Sequence, residues 1–177
     1  KVSDKVLIVQ NLLNLADHII IGGGMAYTFF KALGGEIGAS LCEEERLETC
    51  KEILTAAKDK GVQIHLPTDA IIADHFAADA HTQTAPSGAI SGAWMGLDIG
   101  PEAIKDFSAV LEKSQTILWN GPMGVFEMPA FEQGTKAVAL AVAAATKNGA
   151  FSLIGGGDSA AAVQKFGLQD QVSYVST

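Results

Sequence analysis

Apolar positions along the chain switch repeatedly between a spacing near two and a spacing near 3.6, the signatures of strand and helix. The run from Val6 to Leu15 predicts a first helix with Ser3 or Asp4 as its cap. His18 to Ile21 predicts a short apolar strand that runs into Gly22-Gly23-Gly24, and Met25 to Leu33 a helix that closes at Gly34-Gly35. Glu43 to Lys60 is amphipathic, acidic at its start and basic at its end, and Gly61 stops it. Val62 to Leu66 and Ala70 to Ala73 predict strands, the first halted by Pro67. Residues 77–96 show neither period and predict an irregular excursion. Pro101 to Glu112 predicts a helix with proline in its first turn. Thr116 to Trp119 predicts a strand that ends in Asn120-Gly121-Pro122, followed by an Ala-rich helix from Ala130 to Thr146. Phe151 to Ile154 predicts a strand running into Gly155-Gly156-Gly157, then a helix from Asp158 to Phe166 and a last strand from Val172 to Val175.

Strands that are apolar throughout and alternate with helices belong to parallel sheets covered on both faces. The expected fold is α/β: a three-layer, doubly wound, Rossmann-like domain on a parallel sheet of about six strands. No linker, low-complexity tract or charge block divides residues 1–177, so one domain is expected.

Composition narrows the partners. Apolar residues make up 48% of the chain, enough for a core and too many for disorder. Lys plus Arg number 12 against 20 Asp plus Glu, a formal charge of −8. That balance argues against nucleic acid and against anionic membrane surfaces, both of which need a basic face. The longest wholly apolar run, Ala137 to Ala145, is far short of the roughly 20 residues that cross a bilayer. Cys42 and Cys50 stand eight positions apart in one helical pattern, about 12 Å, too far for a disulfide. Reduced thiols and a cytoplasmic setting are expected. The chain opens on Lys1 with no Met or signal peptide, and its last strand has no covering helix after it, so a piece of something longer is expected.

Three strands end in glycine turns, at residues 22–24, 120–122 and 155–157. In open α/β sheets a ligand lies beyond the carboxyl ends of the strands, where glycine lets backbone N–H groups approach an anion and the next helix adds its positive end. Gly155-Gly156-Gly157-Asp158-Ser159 at a helix start fits a phosphate cradle; plain chain reversal is the alternative. No G-x-x-x-x-G-K-[ST] occurs, which excludes a P-loop. Gly155, Gly157 and Ala160 fit G-x-G-x-x-[GA], but the chain ends at Thr177 before the acidic residue a dinucleotide site wants. Asp158 beside the cradle would repel phosphate unless a cation intervened, and Mg²⁺ takes one or two carboxylates plus phosphate oxygens; a helix cap is the alternative. Lys1 and Lys5 flank the start of the first helix, where solvated surface lysines are the plain reading. Asp69, Asp74, His75, Asp79 and His81 form a rival cluster whose spacing matches no metal motif, and a polar loop is expected there. His18 and His65 read as core or edge residues, and Met25, Phe29 and Phe30 as core.

Taken together, the motifs resemble phosphoglycerate kinase. They are Lys1-Val2-Ser3-Asp4-Lys5, IIIGGGMAYTF at 19–29, LPTDAIIAD at 66–74, Gly92-Ala93-Trp94-Met95-Gly96-Leu97-Asp98-Ile99-Gly100-Pro101, WNGPMGVFE at 119–127, GTKAVA at 134–139 and IGGGDSAAAV at 154–163. The resemblance covers essentially the whole chain. It implies the second, nucleotide-binding domain of a two-domain kinase, with the phosphoglycerate-binding domain and a final glycine-rich segment lying outside this chain. It implies reversible phosphoryl transfer between ATP and 3-phosphoglycerate, giving ADP and 1,3-bisphosphoglycerate in glycolysis. Mg²⁺ would be the cofactor, bound with the nucleotide, and the protein a cytoplasmic monomer. Lys1 and Lys5 are similar to the family's phosphate-binding lysines, and Gly22 and Gly23 to part of its adenosine site. Phe76, Leu97 and Val125 resemble adenine-pocket contacts, Glu127 the carboxylate that takes the ribose hydroxyls, and Asn120 a residue near the phosphates. Asp158 resembles the Mg²⁺-nucleotide ligand, and Ser159 beside it is expected to bind the nucleotide as part of the same cradle. The amides of Gly156, Gly157 and Asp158 resemble the cradle for the transferring phosphoryl group. A catalytically silent adenine-nucleotide module and a dinucleotide oxidoreductase domain are the competing readings.

Overall fold

The computed structural model describes residues 2–177, with side chains from Lys5 onward. The chain runs α1 (Val2–Leu12), β1 (His18–Ile20), α2 (Met25–Ala32), β2 (Glu36–Ile37), α3 (Leu47–Lys60), β3 (Gln63–His65), β4 (Asp69–Ala73), β5 (Thr82–Pro86), β6 (Ala89–Ile90) and β7 (Met95–Ile99). It continues with α4 (Pro101–Glu112), β8 (Thr116–Asn120), α5 (Gln133–Lys147), β9 (Phe151–Gly155), α6 (Gly157–Lys165) and β10 (Tyr174–Ser176).

Local chemistry accounts for most boundaries. Gly61 ends α3 at φ 72°, where L side chains are disfavoured, and Val62 N–H closes back on Ala57 O at 2.9 Å. Pro101 opens α4 because its missing N–H would have no partner there. Three boundaries differ from expectation. Helix α1 already includes Ser3 and Asp4, so neither caps it. A 3-10 turn, Glu44–Arg46, precedes α3, and another, Pro129–Phe131, precedes α5.

Parallel pairing follows the apolar strand runs in two sheets, and the short β2 and β6 form a third parallel pair. Strand β1 pairs with β3, and β9 lies between β8 and β10. The stretch at 77–96 is not irregular. It supplies β5, β6 and the start of β7, and β4 pairs antiparallel with both β5 and β7. Its pattern is hidden because Thr82–Pro86 is mostly exposed and β7 carries Gly96 and the buried Asp98 among its apolar positions.

The core holds two large groups. Phe107, Trp119, Val142, Ile154 and Val163 pack α4, α5 and α6 onto β8 and β9, while Val6, Ile19, Phe29 and Ile53 pack α1, α2 and α3 onto β1. Phe29 and Phe107 are fully buried, each contributing about 1.5–3 kcal/mol by burial. Between the two groups, β1 and β8 line one cleft of about 1430 Å³. Its far end is apolar, with Leu118 56% exposed, and its near end is ringed by the glycine turns.

Candidate functional site

The three glycine turns meet at the carboxyl ends of β1, β8 and β9. A Cβ on Gly22 would run into Met123 Sδ, and one on Gly23, at φ 68°, would lie 2.9 Å from Pro122 O. The first turn therefore abuts the second with no room for side chains. The register of β8 and β9 sets Asn120 opposite Gly155. Gly156, at φ 88°, presents its backbone to the Asn120 carboxamide, where a Cβ would stand 2.8 Å from Oδ1. Lys5 reaches in from α1, its Nζ 3.1 Å from where a Gly121 Cβ would be. A cation, a carboxamide and bare backbone thus converge at one point, under the amino end of α6.

The loop after β8 is tied at successive positions. Trp119 Nε1–H donates to Gly121 O at 2.7 Å, and Gly121 N–H donates to Ser159 Oγ at 2.6 Å. The buried Thr135 hydroxyl accepts from Met123 N–H and Gly124 N–H at 3.1 and 3.3 Å. Val125 N–H donates to Leu97 O at 2.9 Å, joining the loop to β7. Lys165 donates to Phe126 O at 2.6 Å. Beneath the loop, Asp98 accepts from Gly134 N–H at 3.0 Å and Ile99 N–H at 2.9 Å. Burial pushes the Asp98 carboxyl up to about 7, against the pull of those two donors. Burial, and secondarily Asp98, raise the Tyr27 phenol.

The cleft collects most of the expected site residues. Lys5, Gly22, Gly23, Asn120 and Asp158 line it on the side of the glycine turns. Phe76, Leu97 and Val125 line it on the side of β7, Phe76 exposed and Leu97 half-buried. Gly157 and Glu127 are exposed and, like Gly156 and Ser159, are not among the residues that line it. Ser159 is 1% exposed, and its hydroxyl holds Gly121. Lys1 lies outside the described residues. Asp158 is not a cap: α6 has no side-chain cap bond, and the exposed carboxylate has no hydrogen bond or ion pair among the described residues. A lone free carboxylate beside bare amides suits an octahedral cation that takes its remaining ligands from phosphate and water, so the donor set fits Mg²⁺.

The rival acidic cluster has other work. Asp69 accepts from Glu102 N–H and Ala103 N–H at 3.0 and 2.8 Å and so caps α4 from 33 positions away. Asp74 takes His75 Nδ1 at 2.8 Å and His81 N–H at 3.1 Å. Among the described residues, no three His, Cys, Asp or Glu side chains gather as metal ligands. His18 and His65 bond each other at 3.0 Å on the exposed edge of β1 and β3. Cys42 and Cys50 are free thiols, though Cys42 precedes the helix instead of sharing it.

Sequence reasoning missed Lys165, Thr135 and the role of Asp98. Thr135 and Asp98 lie inside motifs already singled out, GTKAVA and the run ending in Gly100-Pro101. Lys165 carried no signal, because a lysine in a last helical turn is ordinary.

A profile of the phosphoglycerate kinase family matches residues 1–177. The chain belongs to the phosphoglycerate kinase family. The phosphoglycerate kinase of Porphyromonas gingivalis is 54% identical over 177 residues, 100% of this chain and 42% of that protein. The cytosolic phosphoglycerate kinase 3 of Arabidopsis thaliana is 51% identical over 177 residues, 100% of this chain and 44% of that protein. The solved phosphoglycerate kinase of Coxiella burnetii superposes with a TM-score of 0.94 at 45% identity, covering 100% of this chain and 45% of that one. That of Pyrococcus horikoshii superposes at 0.81 with 28% identity. The chain therefore spans less than half the length of these phosphoglycerate kinases.

Proposed function

We propose that this chain is the nucleotide-binding part of a phosphoglycerate kinase, a phosphotransferase with a carboxyl group as acceptor. The observation that supports this best is the meeting of Lys5, Asn120 and Gly156 beneath the amino end of α6. Such a point suits the phosphates of ADP or ATP. The base would then lie toward Leu97, Val125 and Phe76, with Gly22 and Gly23 against the adenosine and Glu127 on the ribose hydroxyls. The acyl phosphate of 1,3-bisphosphoglycerate, or 3-phosphoglycerate, would come from a second domain of the full protein.

Both nucleophiles of this reaction, a carboxylate and a phosphate oxygen, are ionised near neutral pH, so no general base is needed. The protein's work is positioning and charge neutralisation. Lys5 places a positive charge beside the transferring phosphoryl group. The Gly156 and Gly157 amides, at a helix start, donate to its oxygens. Lys1 belongs to the same phosphate-binding role. Ser159 acts by holding the Asn120-Gly121 turn. Mg²⁺ bound with the nucleotide would neutralise phosphate charge, with Asp158 as its protein ligand. Closure of the cleft by the other domain would exclude water from the acyl phosphate.

A monomer in the cytoplasm is the setting proposed. Relatives include cytosolic enzymes, and among the described residues no helix is long and apolar enough to cross a membrane. The net charge of −8 speaks against nucleic acid and membrane surfaces as partners. Calorimetric titration of the full protein with MgADP, paired with a turnover assay on 3-phosphoglycerate and ATP, tests the reading. Saturable MgADP binding with turnover is expected. Binding without turnover would favour the silent module, and tight NADH binding the oxidoreductase.

A further inference from the structure

Helix α6 meets the site at both of its ends. Its first residue, Gly157, belongs to the glycine turn, and its last, Lys165, sits under the loop that carries Val125 and Glu127. Lys165 Nζ donates to Phe126 O at 2.6 Å and pairs with Glu132 Oε2 at 3.0 Å. It also lies 5.9 Å from the Phe126 ring centroid and 5.7 Å from that of Phe166. Four contacts on one ammonium are more than a solvated surface lysine makes, and the shortest is to a backbone carbonyl. That carbonyl belongs to the peptide unit leading into Glu127. On the other side of Glu127, Met128 N–H returns to Val125 O at 3.0 Å. The backbone of Glu127 is thus held on both sides, while its exposed side chain has no hydrogen bond or ion pair among the described residues.

We infer that Lys165 is a positioning residue for Glu127, and that α6 is a rigid spacer setting the distance between the anion cradle and the ribose carboxylate. This rests on the nucleotide-site reading above and deepens it. Nine helical residues rise about 12 Å from the first to the last. A hydrogen-bonded helix changes length little, so a ligand anchored in phosphate at one end finds its ribose partner at a set separation. Glu132, at the foot of α5, fixes the ammonium laterally, so the clasp also ties α6 to α5. Methionine at 165 would keep an apolar stem of similar length and leave Phe126 O without its charged donor.

The test compares MgADP with Mg-2′,3′-dideoxy-ADP, which lacks the ribose hydroxyls, by calorimetry on the full chain. Lys165→Met is expected to weaken MgADP about tenfold and the dideoxy nucleotide less than about twofold, the loss of one charge-assisted bond acting through the ribose. Lys165→Arg is expected to recover most of the MgADP affinity. In a Glu127→Ala background, Lys165→Met should have little further effect, as for two residues acting as a unit. Equal weakening of both nucleotides would overturn the inference and leave Lys165 a general brace of the fold, as would full additivity with Glu127→Ala. If Lys165→Met does not fold, Glu132→Gln loosens the same ammonium and should show the same selectivity in smaller degree. Failure of the unaltered protein to bind MgADP would instead sink the nucleotide reading itself.

Discussion

Gly121 N–H donates to Ser159 Oγ at 2.6 Å, fastening the turn after β8 to the first helical turn of α6. The two residues are 38 positions apart, and both are buried. Alanine at 159 would leave the Gly121 N–H without a partner away from water, a loss of about 1–3 kcal/mol. For a domain of this size, Ser159→Ala should lower the melting temperature by about 2–10 °C in calorimetry. An unchanged melt would mean that water replaces the hydroxyl.

In the function proposed above, Lys5 serves the chemistry more than the binding. Its ammonium stands against Gly121, in the turn that carries Asn120. In the full protein, Lys5→Ala should lower kcat by about a hundredfold or more, the scale of losing one preorganised charge, and weaken MgADP by less than about tenfold. Steady-state kinetics with calorimetry separate the two. Near-normal turnover would remove Lys5 from the mechanism.

Among the described residues the Asp158 carboxylate makes no hydrogen bond or ion pair, and it does not cap its helix. A carboxylate facing phosphate repels it unless a divalent cation stands between them. Asp158→Ala should therefore weaken MgADP strongly and leave ADP measured in EDTA unchanged or slightly tighter. Equal weakening of both would leave no metal role.

Asp98 predicts a pH dependence. Its carboxyl is raised by burial from the ordinary 3.8 to about 7 in the folded protein. The folded state therefore holds the proton more tightly than the unfolded one. The contribution is complete below about pH 4 and is lost as pH rises through about 7, so this group lowers stability across that interval. Asp98→Asn cannot titrate, and its melting temperature should depend less on pH between about 5 and 8 than that of the unaltered protein. Parallel profiles would show that another group titrates.

The glycine turns were legible because they combine a local conformational need with a short spacing. Gly23, Gly121 and Gly156 do take positive φ angles. Lys5 was legible only through family likeness, since a lysine near a helix start is ordinary until Gly121 is seen beneath it. Asp69 could not be placed from its neighbours in sequence, because the N–H groups it caps lie in α4. The strands at 82–99 were hidden for a different reason: edge exposure and a buried carboxylate erase the apolar alternation by which strands are read.

Legible in the sequence, then, were helices α1 to α6 and strands β1, β3, β4, β8, β9 and β10 in their order, the parallel pairing of all of these strands but β4, the three glycine turns and the family. Each of these is written in residues close together, through backbone preference and apolar period. Tertiary structure alone decided that the three turns share one mouth, that β5 and β7 flank β4 antiparallel, and that Ser159, Thr135 and Lys165 hold the site's loop. The three bonds that hold the loop join partners 11 to 39 positions apart, and no local pattern encodes which distant donor a carbonyl or hydroxyl will meet.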